Sequence, residues 1–211
     1  MRLPRFYPIL DTEVALRRGI DPVHAAQEIL EAGAQILQFR HKTFLSRETF
    51  AWLERIAQIT QAAGAMLVIN DRPDLSKLMG AALHLGQDDL PPSAARRVVG
   101  PDTTVGFSTH NEAQLRAANA EPVDYLALGP IFGTVTKENP DPKVGLGELS
   151  RLRPLTNLPL VAIGGISRAN ARQVLEAGAD SVAIIGDLFP ERETIRARAE
   201  EWIRLTSPGG P

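Results

Sequence analysis

The sequence predicts a single (β/α)8 TIM barrel, a member of the α/β class. Short apolar runs alternate with amphipathic helical stretches along the whole chain, which is typical of parallel strands covered by helices. The 211 residues hold eight such units and lie close to the lower limit of roughly 200 residues for this barrel. The alternative is an open doubly wound sheet, but no G-x-G-x-x-G fingerprint follows the first strand.

Each predicted strand is a short apolar run, such as FYPIL, ILQFR or MLVIN, that is bounded by polar or glycine-containing segments. In order, the predicted strands are 6–10, 36–40, 66–70, 82–86, 104–108, 125–129, 160–164 and 181–185. The helical patterns between and after them are 22–32, 48–63, 93–99, 111–118, 168–178 and 193–205. We expect one domain over residues 1–211, with a flexible tail from about residue 206.

The composition excludes several classes of protein. A net charge of −2 offers no basic excess for coating nucleic acid, so phosphate binding must depend on a few placed cations and backbone N–H groups. The absence of cysteine rules out disulfides, thiolate metal sites and cysteine nucleophiles. The first residues do not form a signal peptide, and no apolar run reaches the roughly 18 residues of a membrane span. We therefore expect a cytoplasmic protein with neither nucleic-acid nor membrane partners, as a monomer or a homo-oligomer.

In such a barrel the chemistry lies at the carboxyl ends of the strands. After the second strand, the alternation of side chains in LQFRHK puts Gln38, Arg40 and Lys42 on one face. Arginine offers a bidentate fork to phosphate oxygens and lysine offers a point charge, so this face suits a phosphorylated ligand. The alternative is that both cations simply extend into solvent.

Acidic residues follow the third and fourth strands. Asn70 and Asp71 occur in VINDRPDL, and Asp88 and Asp89 occur in LHLGQDDL. Because neighbouring strands lie about 4.8 Å apart, carboxylates at adjacent strand ends can reach one cation. This set suits Mg²⁺ with a diphosphate better than zinc, with Asp71 and Asp89 favoured as ligands over Asp88. The alternative is that Asp71 and Asp89 cap helices or form turns.

Three further polar residues lie on or just after the fourth and fifth strands. Ser108 ends the fifth strand, where its hydroxyl can contact an anion. His110 is interpreted as structural or solvated, and His84 as a packed core residue rather than a ligand.

The loop after the sixth strand is much longer than the usual two to six residues or so. Its sequence, GPIFGTVTKENPDPKVGLG, offers hydroxyl donors at Thr134 and Thr136 and a cation at Lys137. Its glycines permit the backbone to approach a ligand closely, at Gly129, Gly133 and Gly145. The alternative is a flexible surface excursion.

Glycine-rich turns follow the last two strands, in IGGIS and IIGD. Barrels of this kind often bind a phosphate there, and backbone N–H groups near Gly164, Gly165 and Gly186 are suited to it. The site thus has a metal-assisted anion subsite and a glycine-backbone one. Without an activated nucleophile, this arrangement favours group transfer between two phosphorylated substrates over covalent hydrolysis.

The motifs QFRHK, INDRPDL, LHLGQDDL, GFSTH, DYLALGPIFGTVTK and AIGGI, in this order, resemble those of thiamine-phosphate synthases. The resemblance covers residues 36–186 and implies a TIM-barrel transferase of thiamine biosynthesis. Such an enzyme joins 4-amino-2-methyl-5-hydroxymethylpyrimidine diphosphate to 4-methyl-5-(2-hydroxyethyl)thiazole phosphate with Mg²⁺. The chain departs from the family in having Phe39, on the outward face of the second strand, where leucine is usual, and Gly186 where serine is frequent.

The resemblance also implies roles for individual residues. The residues implied for the pyrimidine diphosphate are Gln38, Arg40, Lys42, Asn70, Ser108 and Lys137. Those implied for the thiazole phosphate are Thr134, Thr136, Gly165, Ile185 and Gly186. Those implied for Mg²⁺ are Asp71 and Asp89. The family mechanism is dissociative, and the catalytic set that it implies is Arg40, Lys42, Ser108 and Lys137. The remaining alternatives are a thiazole tautomerase and a non-catalytic sensor of thiazole phosphate or thiamine phosphate.

Overall fold

A closed barrel of eight parallel strands forms the centre of the protein, in a computed structural model that describes residues 2–133, 142–189 and 194–209. Each strand pairs with the next in the sequence, and the last pairs with the first, so the predicted fold is confirmed. The strands are β1 (Phe6–Asp11), β2 (Ile36–Arg40), β3 (Met66–Asn70), β4 (Ala82–Leu85), β5 (Val105–Thr109), β6 (Tyr125–Leu128), β7 (Leu160–Ile163) and β8 (Ser181–Ile184).

Helices follow the strands and cover the outside of the barrel. They are α1 (Thr12–Arg17), α2 (Pro22–Glu31), α3 (Arg47–Ala62), α4 (Pro73–Met79), α5 (Pro92–Val99), α6 (Glu112–Ala118), α7 (Gly145–Leu152), α8 (Ala171–Glu176) and α9 (Ile195–Thr206). Short 3₁₀ turns occupy Arg153–Leu155 and Gly186–Leu188. No helix within the described ranges is long and apolar enough to cross a membrane.

Side-chain caps explain where several helices begin. The side chains of Asp11, Asp21, Ser46, Asn111 and Thr194 each accept a hydrogen bond from a backbone N–H in the first turn of α1, α2, α3, α6 and α9. The sequence patterns did not predict α1, which directly follows β1.

Alternation along the strands divides the core into two layers. On β2, Ile36 packs inside the barrel, whereas Leu37 and Phe39 pack between the barrel and the helices. The outward position of Phe39 agrees with the sequence interpretation. Trp202 of α9 is fully buried and stacks on Phe6 of β1, with ring centroids 6.1 Å apart. This two-layered packing holds the strand ends rigidly in relation to one another.

Candidate active site

The cations that follow β2 are both paired with aspartates. Arg40 lies opposite Asp11 of β1 in the parallel register, and an Arg40 guanidinium N–H donates to the Asp11 carboxylate. The Lys42 ammonium donates to the carboxylate of Asp71, which directly follows β3. The alternative in which both cations simply extend into solvent is therefore wrong for Arg40, whereas Lys42 is exposed but paired with Asp71. Two ion pairs therefore lie at the carboxyl edge of the barrel.

Asp11 is a site residue that the sequence analysis missed. Its side chain is buried, with one carboxylate oxygen accepting from the N–H of Val14 at 3.0 Å and the other accepting from Arg40. The predicted first strand ended at residue 10, which put Asp11 in a connecting segment. The available signal was an aspartate directly after FYPIL, in the position that a strand-end functional residue occupies.

Asp71 has an unusual backbone and an acidic neighbour. Its φ of 63° is the one positive value at a non-glycine residue in the described ranges. Such a conformation is uncommon outside glycine and often occurs at functional sites. Burial raises the pKa of Asp71, the hydrogen-bonded carboxylate of Asp89 raises it further, and Lys42 opposes both effects. The neighbouring Asp89 carboxylate therefore destabilises the charged form of Asp71.

Neither aspartate caps a helix. Arg72 occupies the position before α4 and no side chain caps that helix, while Pro91 occupies the same position before α5. Asp89 instead accepts the backbone N–H of Gly86 at 2.7 Å, which closes the short loop after β4. The capping alternative for Asp71 and Asp89 is therefore wrong, whereas a turn role for Asp89 is compatible with a metal role.

The chemistry of this pair fits Mg²⁺. Within the described ranges there is no cluster of three or more histidine, aspartate or glutamate side chains that could hold a metal ion. Magnesium commonly takes only one or two carboxylates from a protein and completes its octahedron with water and substrate phosphate oxygens. Asp71 and Asp89 provide that number of hard oxygen ligands beside two cationic side chains.

Asn70 contributes a polar group that is still unpaired. The residue is buried at the end of β3, and its Nδ2 has no hydrogen-bond partner in the described part of the chain. Leaving a buried donor unsatisfied costs about 1–3 kcal/mol. A ligand acceptor would offset this cost, so the position of Asn70 beside Asp71 is consistent with its predicted substrate contact.

Ser108 is connected to the barrel interior through His84. The Ser108 hydroxyl lies 2.9 Å from His84 Nε2, and His84 Nδ1 lies 3.0 Å from the hydroxyl of Tyr125. That hydroxyl lies 2.8 Å from the hydroxyl of Tyr7, which accepts from Gln38 Nε2 at 3.0 Å. The interpretation of His84 as a packed residue is confirmed, but no sequence pattern indicated its contact with Ser108.

The two histidines of this region, His84 and His110, lie in different environments. Burial lowers the pKa of His84 to about 4, so its imidazole is neutral at physiological pH. His110 Nδ1 lies 2.6 Å from the carbonyl oxygen of Gly129, and its backbone N–H donates to Gln114 Oε1 at 2.7 Å. These contacts confirm the structural interpretation of His110.

The long loop after β6 is only partly described. Thr134, Thr136 and Lys137 lie outside the described residues, and their predicted substrate contacts stay predictions. The expectation that Gly129 lets the backbone approach a ligand stays a prediction, and the structure shows a close approach to another strand. A Cβ on Gly129 would lie 2.3 Å from the carbonyl oxygen of Ile163, so the close approach is to β7.

The other two glycines of this loop also have protein neighbours or a conformational role. A Cβ on Gly133 would lie 3.0 Å from Cε of Lys143. Gly145 begins α7 with a φ of +76°, which a residue with a side chain rarely adopts. The approach of these two glycines to a ligand stays a prediction. The Lys143 contact and the positive φ each explain the presence of glycine without a ligand.

The glycine pair after β7 packs against this same loop. Gly164 and Gly165 have φ values of +95° and +64°, and a Cβ on Gly165 would lie 2.4 Å from the carbonyl oxygen of Gly133. The backbone N–H of Phe132 donates to the carbonyl of Gly164 at 3.0 Å. Glycine is thus required here by the close contact of two active-face loops, and phosphate binding at Gly165 stays a prediction.

After β8, Ile185 directly precedes the 3₁₀ turn that begins at Gly186. A short helical turn at this strand end is the element on which barrels commonly bind phosphate. The positions of Ile185 and Gly186 are therefore compatible with the predicted phosphate subsite, while Gly186 lacks the hydroxyl that serine would add.

Comparison with known proteins points to one family. The family model described as thiamine monophosphate synthase matches residues 6–188. A thiamine-phosphate synthase of Koribacter versatilis is 45% identical over 211 residues, spanning 97% of this chain and 97% of that protein. One from Chlorobium phaeovibrioides is 42% identical over 191 residues, spanning 90% and 91%. Among solved structures, thiamine phosphate pyrophosphorylase from Pyrococcus furiosus has a TM-score of 0.84 at 29% identity, with 96% and 95% covered.

Proposed function

The chain belongs to the thiamine-phosphate synthase family, and we propose from that premise how its barrel makes thiamine phosphate. It is a transferase that moves the pyrimidinylmethyl group from the pyrimidine diphosphate to the nitrogen of the thiazole phosphate and releases diphosphate. The substrate roles of individual residues, the metal and the order of bond changes are our proposal.

The approach of Asp71 to Asp89 is the observation that carries the proposal. Asp71 and Asp89 follow adjacent strands, and the Asp89 carboxylate disfavours the charged form of Asp71, a cost that a bound cation would offset. We assign Mg²⁺ to Asp71 and Asp89, with Asp88 excluded because it is exposed within the turn that Gly86 and Asp89 close. When bound, the ion would neutralise negative charge on the diphosphate.

The positive charges of Arg40 and Lys42 suit the binding of a diphosphate beside the two aspartates. Arg40 is oriented by Asp11 and retains further guanidinium N–H groups for phosphate oxygens, while Lys42 adds an exposed ammonium that is paired with Asp71. Ser108 offers a hydroxyl from β5, and Lys137 would add a cation from the loop after β6. Gln38 and the unpaired Nδ2 of Asn70 lie on the barrel side, where they suit the pyrimidine diphosphate.

The second substrate is assigned to the opposite side of the barrel mouth. The turns after β7 and β8 carry Gly165, Ile185 and Gly186, and the long loop contributes Thr134 and Thr136. Backbone N–H groups of such turns bind phosphate without a net positive charge, in agreement with the net charge of −2. This subsite would hold the thiazole phosphate with its nitrogen facing the pyrimidine.

The proposed reaction is dissociative. The C–O bond to the diphosphate breaks first, the bonding electron pair leaves with the diphosphate, and the pyrimidine stabilises the resulting carbocation. The thiazole nitrogen then forms the new C–N bond with its lone pair. Arg40, Lys42 and Lys137 contribute by stabilising charge that grows on the leaving group, and Ser108 by donating to one of its oxygens. Holding both substrates in line removes much of the entropic barrier.

Turnover tests this proposal directly. Purified protein is mixed with both substrates and Mg²⁺, and thiamine phosphate is followed after its oxidation to fluorescent thiochrome. We expect product that disappears with EDTA and with Asp71→Ala. Folded protein that binds thiazole phosphate without forming product would contradict the proposal, and would favour a thiazole tautomerase or a sensor. Product formation that is indifferent to EDTA would contradict the metal assignment alone.

A further inference from the structure

A hydrogen-bond chain crosses the barrel interior and ends at the active face. It begins at Gln38 on β2, passes through the hydroxyls of Tyr7 on β1 and Tyr125 on β6, and reaches Ser108 on β5 through the imidazole of His84 on β4. The four consecutive distances are 3.0, 2.8, 3.0 and 2.9 Å. Five strands therefore contribute one residue each to a single chain of donors and acceptors.

With the Gln38 amide nitrogen facing Tyr7, the hydrogen-bond chain has one direction in which every group is paired. The Gln38 amide N–H donates to the Tyr7 oxygen, so the Tyr7 O–H must find an acceptor, and the Tyr125 oxygen is the one in reach. Tyr125 then donates to His84 Nδ1, which must be the unprotonated nitrogen. In the reverse direction Tyr125 would donate to Tyr7, and the buried Tyr7 hydrogen would have no acceptor among the described residues.

We propose that this chain holds His84 as the Nε2–H tautomer, so that His84 donates to Ser108 Oγ and the Ser108 hydroxyl hydrogen is directed to the ligand. The inference rests on the proposed function in one respect, since the acceptor that Ser108 meets is a diphosphate oxygen. With the other tautomer, Ser108 would donate to His84 and present only lone pairs to an anion. Tyr125 and His84 are therefore positioning residues that set the polarity of Ser108.

The packing around Tyr125 supports a fixed arrangement. A Cβ on Gly106 would lie 2.0 Å from Tyr125 Cζ, so glycine at this position on β5 leaves the space that the ring occupies. The rings of Tyr125 and His84 are 5.5 Å apart and tilted by 27°. Both tyrosines are almost completely buried, so water does not compete for their hydroxyls. These contacts fix the positions of the oxygen and nitrogen atoms that the hydrogen bonds connect.

The protonation states are consistent with this arrangement. Burial lowers the pKa of His84 to about 4 and raises the pKa of Tyr7 to about 12. Burial also raises the pKa of Tyr125 well above its ordinary value. All three side chains are therefore neutral near pH 7, and the direction of the hydrogen bonds, not net charge, determines what Ser108 offers to a ligand.

The tautomer can be measured without any substrate. Long-range ¹H–¹⁵N correlation spectra of ¹⁵N-labelled protein at neutral pH distinguish Nε2–H from Nδ1–H imidazole, and His84→Gln assigns the signal among the four histidines. We expect a neutral Nε2–H ring for His84. An Nδ1–H ring or an imidazolium would overturn the inference. The measurement is made on the unaltered protein, and His84→Gln serves only to assign the signal.

Two buried tyrosines provide matched variants. Tyr7→Phe leaves the donor to His84 in place, so the Nε2–H tautomer should persist. Tyr125→Phe removes that donor, so the preference for Nε2–H should be lost. The two changes delete the same atom from equally buried side chains, which makes each a control for the packing effect of the other. A tautomer that is unaffected by Tyr125→Phe would overturn the inference.

Ligand binding tests the consequence for Ser108. The probe is inorganic diphosphate with Mg²⁺, titrated calorimetrically into the parent, Ser108→Ala, Tyr125→Phe and the double variant. Tyr125→Phe should weaken binding roughly tenfold in the parent, as expected for loss of a correctly oriented donor to a charged acceptor, and should have no effect once Ser108 is removed. Equal weakening in both backgrounds would overturn the inference. Thiamine phosphate formation by the parent protein separates this outcome from failure of the proposed function.

Discussion

Asp11 of β1 and Arg40 of β2 lie opposite each other in the parallel register, and their side chains form an ion pair at the carboxyl edge of the barrel. The Arg40 side chain is 22% exposed, whereas that of Asp11 is 3% exposed. The buried partner therefore anchors the guanidinium that faces the barrel mouth. Asp11 also caps α1, so one carboxylate connects the first helix with a cation of the site.

Asp11→Asn should separate these two roles. The asparagine oxygen can still accept from the N–H of Val14, so the free energy of unfolding should change little, whereas Asp11→Ala should cost about 1 kcal/mol more through loss of the cap. Both variants remove the charge that orients Arg40, and kcat/KM should fall roughly tenfold or more. Urea unfolding and steady-state kinetics check this, and wild-type kcat/KM in Asp11→Asn would contradict it.

The metal assignment predicts different behaviour for adjacent acids. Asp71→Asn and Asp89→Asn should raise the Mg²⁺ concentration needed for half-maximal activity by roughly 10-fold or more, because each removes one of two carboxylate ligands. Asp88→Asn is the matched control, since it removes the same charge from an exposed neighbour and should leave the Mg²⁺ dependence unchanged. A larger shift for Asp88→Asn than for Asp89→Asn would reverse the assignment.

His84 should make stability depend on pH in a defined window. Its pKa is about 4 in the folded protein and 6.5 in its ordinary state, so the unfolded chain binds more protons between these values. The free energy of unfolding should therefore be highest above pH 6.5 and should fall by up to about 3 kcal/mol towards pH 4 through this group. Urea unfolding at several pH values measures the slope, and His84→Gln should flatten it. Identical slopes in the two proteins would contradict the buried neutral state.

Two glycines should respond to alanine in opposite directions. Gly165→Ala places a Cβ against the carbonyl of Gly133 in a left-handed conformation, and we expect a loss of more than about 1 kcal/mol of stability with weaker thiazole phosphate binding. Gly147→Ala is the control, since no atom lies within 4 Å of its Cβ and it sits in α7. That variant should gain up to about 1 kcal/mol from helix propensity. Thermal unfolding and calorimetry measure both, and unchanged stability in Gly165→Ala would contradict the contact.

Lys137→Ala should lower kcat more than it raises KM. The proposed dissociative step concentrates negative charge on the leaving diphosphate in the transition state, and a cation that stabilises this charge acts mainly on kcat. Lys143→Ala removes an exposed lysine from the same loop and serves as the control. Steady-state kinetics with the pyrimidine diphosphate varied measure both parameters. An effect of Lys137→Ala on KM alone would contradict the catalytic role.

Strand-end residues were the part of the site that sequence patterns predicted well. Side-chain alternation on β2 put Gln38 inside the barrel and Phe39 outside, and the structure agrees. The pairing of Asp11 with Arg40 and the close approach of Gly129 to Ile163 were not predicted, because a contact between different strands depends on the register with which they pair. The capping alternatives for Asp71 and Asp89 failed for a related reason, since a local sequence does not reveal that another residue occupies the cap position.

By itself, the sequence determined the barrel, the order of its strands and the polar residues that reach its carboxyl edge. These features follow from local periodicity and from the rule that parallel strands end on the same side. Only the tertiary structure decided that Arg40 is held by Asp11, that Asp71 meets Asp89, and that His84 connects Ser108 with Tyr125. Closure of the barrel brings together side chains that are far apart in the sequence, such as Tyr7 and Tyr125 at a separation of 118 residues, and burial then gives those contacts their strength.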